Sequence, residues 1–282
     1  MDEDIKKKIQ AISNSQLQDE EKLRLLNEFL GTLLPMDHPN EIIFLCDQGI
    51  DIGIRVNKFE VSAQLCLIKA KAKISEVAPM IHEMKNITLA LSWFGFSLES
   101  TRKRYEELHK KVLNNWQSTQ DSINQGFDYL RQNPYMGATA YCYQTCGEIY
   151  ANYYLQLRLY YFISGRPWRA RLASFKFIMF LNLDEFFVTS KESRKKMNNV
   201  KSDCLKSFAK AIEYYKKEKA WEFLANCYLS LALEHHSFSS PIRSKFFLYK
   251  AKYFIKKYKI TTLQERFEGI RKMPLIGSDR DD

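Results

Sequence analysis

The chain has 282 residues, of which 45% are hydrophobic and 27% charged, and its formal net charge at pH 7 is +10. These values are typical of a globular protein with a substantial buried core. No uninterrupted apolar run reaches the roughly 20 residues that a membrane span requires, so we expect a protein without a membrane segment. Ten Gly and seven Pro residues are few for this length, which favours a mostly helical chain with short connections.

The charge differs between the two halves of the chain. Residues 1–135 hold 17 Lys and Arg against 19 Asp and Glu, a net charge of −2. Residues 136–282 hold 26 against 14, a net charge of +12. Such an excess of positive charge favours an acidic partner for the second half. The alternative is a Lys-rich helical surface that is merely solvated.

Six Cys residues are scattered through apolar helical patterns, without a Cys-x-x-Cys pair or a His at zinc-ligand spacing. They are Cys46, Cys66, Cys142, Cys146, Cys204 and Cys227. Because the sequence shows no signal peptide, we interpret them as free, buried thiols of a cytoplasmic protein. Cys142 and Cys146 could share one helix face as metal ligands, but core packing is favoured because further ligands are not evident. We expect no metal and no cofactor.

Apolar residues that recur at steps of three and four predict helices throughout the first half. These helices cover residues 2–13, 19–34, 41–56, 59–73 and 75–95. Asp19 and Asn40 are the expected N-caps of the second and third helices. Pro79 is expected in the first turn of the fifth helix, where a missing N–H is tolerated.

The longest periodic run extends from Leu98 to about Gln132. It predicts one long helix in preference to two helices that meet near residues 117–121. At 1.5 Å per residue, such a helix would be roughly 50 Å long.

Helices are also predicted in the second half, at 137–163, 166–187, 203–217, 219–235, 241–258 and 261–272. Residues 189–201 are polar and basic, and we interpret them as a loop or a frayed helix. The tail from residue 274 to 282 is expected to be disordered.

A repeated pattern lies between Lys201 and Tyr258. Trp221-x2-Leu224-Ala225-x2-Tyr228 falls on one helix face, and small residues recur at a step of seven in the neighbouring helices, from Cys204 to Ala211 and from Ser244 to Ala251. This pattern resembles the tetratricopeptide repeat, whose first helix carries W-x2-L-G-x2-Y and whose second carries small residues seven apart.

A second match begins at Tyr143, as Tyr143-x2-Cys146-Gly147-x2-Tyr150. Gly147 is the position where a neighbouring helix could approach most closely. Residues 59–73 carry a third match, in which Ala63 and Ala70 are the small residues. The resemblance implies an all-α fold, in which antiparallel helix pairs stack into a right-handed α-solenoid. We expect one long central helix in it.

We therefore divide the chain into an N-terminal helical region (1–135), basic tetratricopeptide-like repeats (136–273) and the tail (274–282). The family resemblance implies a non-enzymatic adaptor or scaffold that binds a protein or peptide, and the positive charge of the second half favours an acidic one. The alternatives are a helical-repeat protein that binds RNA and, third, a helical RNase.

The predicted binding surface follows from the same solenoid. Its first helices, 137–163 and 219–235, would line the concave face. Basic residues would rim that face and exposed tyrosines would supply contact area. The candidates are Arg158, Arg166, Arg169, Arg171, Lys176, Lys216, Lys217, Tyr153, Tyr154 and Tyr160.

One short motif in the sequence is of a kind found in catalytic sites. Arg104-x4-His109 is similar to the motif of helical RNases of the HEPN type, but so short a match is expected by chance. His235-His236 ends a predicted helix, where we interpret it as a cation beside the helix dipole rather than a metal site. We expect no catalytic residue and no enzyme activity.

Overall fold

A computed structural model describes residues 15–33, 38–94, 98–164, 190–238 and 240–273, together with Lys7, Ala11 and Ile12. All the regular elements in these ranges are α-helices, as the sequence predicts. They are α1 (Asp19–Leu30), α2 (Pro39–Arg55), α3 (Phe59–Phe94), α4 (Leu98–Gln132), α5 (Met136–Ser164), α6 (Ser190–Lys217), α7 (Trp221–Ser237), α8 (Pro241–Lys257) and α9 (Gln264–Arg271). The predicted helices at 2–13 and 166–187 and the tail 274–282 lie outside the described residues or almost entirely so.

Helix α3 corrects the prediction of two helices at 59–73 and 75–95, because Pro79 lies inside it. A proline cannot donate to the carbonyl four residues earlier, here that of Ser75. The helix continues because buried residues lie on one face both before and after the proline, among them Val77, Ile81 and Met84. Helix α4 runs from Leu98 to Gln132 without a break near residues 117–121.

The two predicted N-caps are wrong. Helix α1 has Gln18 at its N-cap, and Asp19 is its first residue, whose carboxylate accepts a hydrogen bond from Arg55 Nε at 2.9 Å. Helix α2 begins at Pro39 behind His38, so Asn40 lies within its first turn. In both places an acidic or polar side chain is within the first turn, where it faces the positive end of the helix dipole.

The stretch 189–201, predicted as a loop or frayed helix, forms the first turns of α6 from Ser190 onward. Tertiary packing outweighs its basic composition, because Val200 is buried and Met197 packs against the same core. Lys196 places its ammonium 5.7 Å from the centre of the Trp116 ring. The lysine stem thereby covers the aromatic core while its charge stays near the surface.

Neighbouring helices pack through three apolar clusters. The first joins α1, α2 and α3, the second joins α3, α4 and α5 with the start of α6, and the third joins α5 to α9. The most extensive helix contacts are between α3 and α4, α5 and α6, and α7 and α8. The second cluster contains residues from both sides of position 135. The hydrophobic core is therefore continuous between the acidic first half and the basic second half of the chain.

Three helix connections share one backbone geometry. Asn57, Lys219 and Lys259 have φ values of 56°, 55° and 53°, in the left-handed region. After each, the next N–H bonds to the carbonyl five residues earlier, at 2.7, 2.9 and 3.0 Å. These are the bonds of the Schellman motif, which closes a helix within three residues.

Residues 40 positions apart occupy equivalent places in α6 and α8. Cys204 and Ser244 are both buried, as are Ala211 and Ala251. The left-handed Lys219 and Lys259 are 40 residues apart as well. Three identities follow this spacing: Lys210 with Lys250, Lys216 with Lys256, and Lys217 with Lys257. Tyr215 and Ile255, also 40 residues apart, are both buried. This correspondence agrees with a helical repeat.

Two further expectations concern burial. All six cysteines are free and buried, as predicted. Burial raises the pKa of the Cys142 and Cys146 thiols to about 12, so both are neutral core residues.

Among the described helices, none is sufficiently long and apolar to cross a membrane.

A candidate partner-binding surface

The predicted tyrosines of α5 lie against other rings. Tyr153 and Tyr160 contact Trp116, at ring-centre distances of 4.9 and 5.5 Å, and Tyr154 contacts Phe238 at 4.7 Å. Tyr160 retains only 5% of its exposed area. Its predicted role as exposed contact area is therefore wrong, because the ring fills the space between α4 and α5.

The predicted basic residues are only partly described. Arg158 is exposed and its guanidinium donates to the carbonyl of Ser237 at 3.4 Å. Lys216 and Lys217 are exposed at the end of α6, and Lys217 pairs with Glu213 at 2.7 Å. The other predicted positions, Arg166, Arg169, Arg171 and Lys176, lie outside the described residues.

Positive charge is concentrated on two helices of the second half. Helix α6 holds nine Lys and Arg against three acidic residues, and α8 holds six against none. Helices α5 and α7, which the sequence predicts to line the concave face, hold a single Lys or Arg between them, Arg158, and three acidic residues. Within the described residues, the positive charge of the second half therefore lies mainly on α6, which includes the predicted Lys216 and Lys217, and on α8.

Helix α8 is apolar on two opposite faces. One face packs on α7 through Ser244, Ala251 and Ile255, all buried. The other carries four exposed residues, which we call the α8 row: Ile242 (84% exposed), Phe246 (51%), Tyr249 (71%) and Tyr253 (50%). Contiguous exposed apolar side chains of this size mark an interaction surface more often than a solvated one.

The equivalent face of α6 shows that the repeat itself does not require the α8 row. Forty residues earlier, the same positions hold Ser202, Lys206, Ala209 and Glu213. The last three are exposed, as is usual for an outer helix face. A helix in the same place is thus stable with a polar outer face, and the apolar row of α8 needs another explanation.

Lysines lie against the rings of the α8 row. Lys250 places its ammonium 4.5 Å from the ring centre of Phe246. Lys257 lies 5.4 Å from that of Tyr253 and donates to the Tyr253 hydroxyl at 3.1 Å. Such cation–π contacts are worth about 0.5–1 kcal/mol at exposed sites. They order the rings on the surface and leave their outer edges accessible.

An open groove lies on another side of the protein, between α4 and α6. It consists of two adjoining cavities of about 500 and 470 Å³, both lined by Asn124, Phe127 and Tyr143. The Tyr143 ring forms its floor, 4.9 Å from the Phe127 ring and 6.0 Å from the Tyr214 ring. Acidic and basic side chains both line the groove, so its charge favours neither an acidic nor a basic ligand.

A polar network links α3, α5, α7 and α9. The carboxylate of Glu148 accepts from Lys71 Nζ at 2.9 Å, from Ser230 Oγ at 3.1 Å and from Gln144 Nε2 at 3.3 Å. Arg266 in turn donates to Ser230 Oγ at 3.0 Å. Burial alone would raise the pKa of Glu148, but Lys71 and these hydrogen bonds outweigh it and lower that pKa. Glu148 is therefore an ionised link between helices.

Glu234 lies near this network, but its pKa shifts in the opposite direction to that of Glu148. Burial, together with the charge of Glu148, raises the pKa of Glu234 to about 8. Among the described residues, no group donates a hydrogen bond to its carboxyl. Two carboxylates in one partly buried site cannot both ionise cheaply, so Glu234 keeps its proton at neutral pH.

His235 is not the helix-terminal cation that we predicted. It is buried, and its ring stacks on Phe247 at a centre distance of 5.1 Å. Burial, with the nearby charges of Arg243 and Lys201, lowers its pKa to about 4. His235 is therefore neutral at pH 7, and within the described part of the chain its Nδ1 has no hydrogen-bond partner.

The residues of the RNase-like motif are in ordinary surroundings. Arg104 forms a two-point ion pair with Glu83, at 2.7 and 3.1 Å. His109 stacks on Tyr160 at 5.8 Å, and burial lowers its pKa. In the part of the chain that the structure describes, no group of three or more His, Cys, Asp or Glu residues is placed to hold a metal ion.

Comparison with known proteins gives no relative: no family model, no curated protein and no solved structure matches the chain. The surface of the protein is therefore the guide to its function. The α8 row was missed in the sequence, although its signal is present. Ile242, Phe246, Tyr249 and Tyr253 are spaced by four, three and four, on the side of the helix opposite Ser244 and Ala251.

Proposed function

We propose that the protein is a non-enzymatic adaptor or scaffold, a tetratricopeptide-like right-handed α-solenoid that binds an acidic protein partner. The binding surface is the outer face of α8. One observation carries this proposal: four exposed apolar residues lie on a helix that has six basic residues and no acidic one. The equivalent face of α6 is polar.

Physical reasoning supports a protein partner of this charge. Burying four large apolar side chains would supply most of the binding free energy. The lysines and arginine around them would raise the association rate with an acidic surface and disfavour basic partners. The proposal keeps the acidic partner and the basic second half that the sequence predicts, and it moves the contact from α5 and α7 to α8.

The test transfers the α6 face onto α8. The variant carries Ile242→Ser, Phe246→Lys, Tyr249→Ala and Tyr253→Glu, which leaves the net charge unchanged. A matched control carries Lys206→Gln and Glu213→Gln on α6, and circular dichroism verifies that both variants fold. Wild-type protein and the control should capture an acidic protein from cell extract after nuclease treatment, and the α8 variant should lose it. Equal capture by all three proteins would place the site elsewhere.

RNA binding is the second candidate, because lysines next to exposed rings also suit single-stranded nucleic acid. Nuclease treatment of the extract would then abolish capture. Affinity for RNA would also fall steeply with salt, since each phosphate contact releases counterions.

The third candidate, a helical RNase, requires Arg104 and His109. Cleavage of RNA that disappears in a folded Arg104→Ala, His109→Ala variant would establish it.

A further inference from the structure

We infer that the partner presents an α-helix to α8, paired with it as in a two-stranded coiled coil and carrying acidic residues on both sides of an apolar seam. This inference depends on the proposed function, because it specifies the partner of the same surface. It follows from the order of residues along α8, not from the total charge alone.

The spacing of the α8 row is that of a coiled-coil seam. Ile242, Phe246, Tyr249 and Tyr253 follow one another at steps of four, three and four. These are the steps between successive d and a positions of a heptad, which repeat every 3.5 residues on average. All four side chains are exposed, so the seam is open to a second helix.

The flanking positions carry one sign of charge. With Phe246 at a and Tyr249 at d, every e and g position from residue 243 to 257 is basic. These residues are Arg243, Lys245, Lys250, Lys252 and Lys257. In coiled coils, the e and g residues of one helix pair with those of the other and so determine the choice of partner.

This pattern disfavours a second copy of the chain as the occupant. Pairing α8 with itself would place lysines against lysines along both edges of the seam. Asp or Glu at the partner's e and g positions would instead form ion pairs along both edges. Its a and d positions would be aliphatic, since three aromatic rings already fill one side of the seam.

The same register on α6 lacks these features. Its a and d positions hold Ser202, Lys206, Ala209 and Glu213, which cannot form an apolar seam. Helix α6 therefore provides an internal comparison with the same backbone and a similar basic content. We expect the partner helix to discriminate between the two.

The seam is short, so we expect pairing with the partner helix to be weak. It spans eleven residue steps, about 17 Å at 1.5 Å per residue. Two heptads on one side support a weak and reversible contact, with a dissociation constant on the order of micromolar. A partner helix of about 14 residues would cover it.

The experiment uses three synthetic peptides of about 21 residues, or three heptads, that share one length and one set of apolar residues. The first carries Leu at a and d and Glu at e and g. The second contains the same residues in scrambled order, and the third carries Lys at e and g. Binding is measured by fluorescence anisotropy and induced helix by circular dichroism.

The Glu peptide should bind wild-type protein at least about tenfold more tightly than the scrambled peptide, and should become helical on binding. The Lys peptide should not bind. In the variant Arg243→Glu, Lys245→Glu, Lys252→Glu, whose three altered residues are exposed, the Lys peptide should gain affinity and the Glu peptide should lose it. These side chains are outside the core, so the variant should fold.

The outcomes separate this inference from the proposed function. If the Glu peptide and the scrambled peptide bind equally, an acidic partner is supported but helical pairing is wrong. If neither acidic peptide binds, the proposed function fails at this surface and the inference fails with it. If the reversed-charge variant keeps its preference for the Glu peptide, the assigned e and g positions are wrong.

Discussion

Gly147 of α5 and Phe208 of α6 are in such close contact that a Cβ atom on Gly147 would lie 2.8 Å from Cδ2 of the Phe208 ring. Real side chains essentially never approach to this distance, so either the ring or the helix would have to shift. Phe208 is fully buried and has little room to move. The contact fixes the separation of α5 and α6.

We predict that Gly147→Ala lowers the free energy of unfolding by about 1–3 kcal/mol, the usual cost of overpacking a core. Urea denaturation followed by circular dichroism measures it. Gly269→Ala is the matched control, because beyond the neighbouring backbone of α9 no atom lies within 4 Å of its Cβ position. That substitution should be neutral or stabilising by up to about 1 kcal/mol, since Ala favours helix over Gly. Equal effects at the two positions would contradict the close contact.

Trp221 stabilises the contact between α7 and α8. Its ring stacks on Tyr258 at a centre distance of 5.0 Å and on Phe254 at 5.8 Å. We expect Trp221→Ala to lower the free energy of unfolding by about 2–4 kcal/mol, somewhat less than for a fully buried Trp. Phe223→Ala, two residues later at a site 56% exposed, should cost less than about 1 kcal/mol. Similar losses from the two variants would show that Trp221 is not part of the core.

Glu234 should make the protein less stable as the pH rises. Its pKa is about 8 in the folded state against 4.5 for an ordinary Glu. Between these values the folded state binds more protons than the unfolded state, so stability falls from pH 5 to pH 8. The loss is on the order of 2–4 kcal/mol, since each pKa unit corresponds to about 1.4 kcal/mol.

Glu234→Gln should remove this pH dependence and stabilise the protein at pH 8. Thermal unfolding at several pH values measures both effects. Glu148→Gln is the informative control. It removes the ionised partner of Lys71 and should destabilise the protein at pH 7. A stability profile that Glu234→Gln leaves unchanged would show that Glu234 is ionised like an ordinary carboxyl.

His235 should produce the opposite slope at lower pH. Its folded pKa is about 4 against 6.5 for an ordinary His. Between these values the unfolded state binds more protons, so stability falls as the pH decreases from 6.5 to 4. His235→Phe keeps a ring stacked on Phe247 and cannot be protonated, so its stability should depend less on pH in this range. A stability profile that His235→Phe leaves unchanged between pH 4 and 6.5 would contradict a buried, neutral His235.

The helical class and the core positions could be predicted because they depend on local spacing. Cys204, Phe208 and Ala211 recur at helical steps and are fully buried, as that spacing requires. Gly147 was predicted as a point of close approach from its place in the repeat pattern. Such features are encoded within one or two turns of one helix.

Features decided by distant contacts were not predicted. Residues 190–201 are basic enough to suggest a loop, yet Val200 packs on a core formed by other helices. Pro79 lies within α3 for a similar reason. The ionisation of His235 depends on Phe247, Arg243 and Lys201, whose proximity no sequence pattern reveals.

The candidate surface was missed because α8 has two apolar faces. Periodicity indicates that Ser244 and Ala251 share one face with core spacing, but Ile242 and Tyr249 share another. Only the packing of α7 determines which face is buried. The positive charge of the second half was predicted from the sequence. The face of α8 on which basic residues flank exposed rings was not.

The shared connection geometry makes the array extendable. The segment from Trp221 to Ile260 starts directly after one left-handed turn, at Lys219, and ends with another of the same kind, at Lys259. A second copy of these 40 residues inserted after Ile260 would therefore enter and leave through turns that the protein already uses. Such a duplication would add a helix pair and display a second copy of the α8 row, so one chain could hold two partner helices at once. Bivalent capture of this kind raises avidity without any new type of contact.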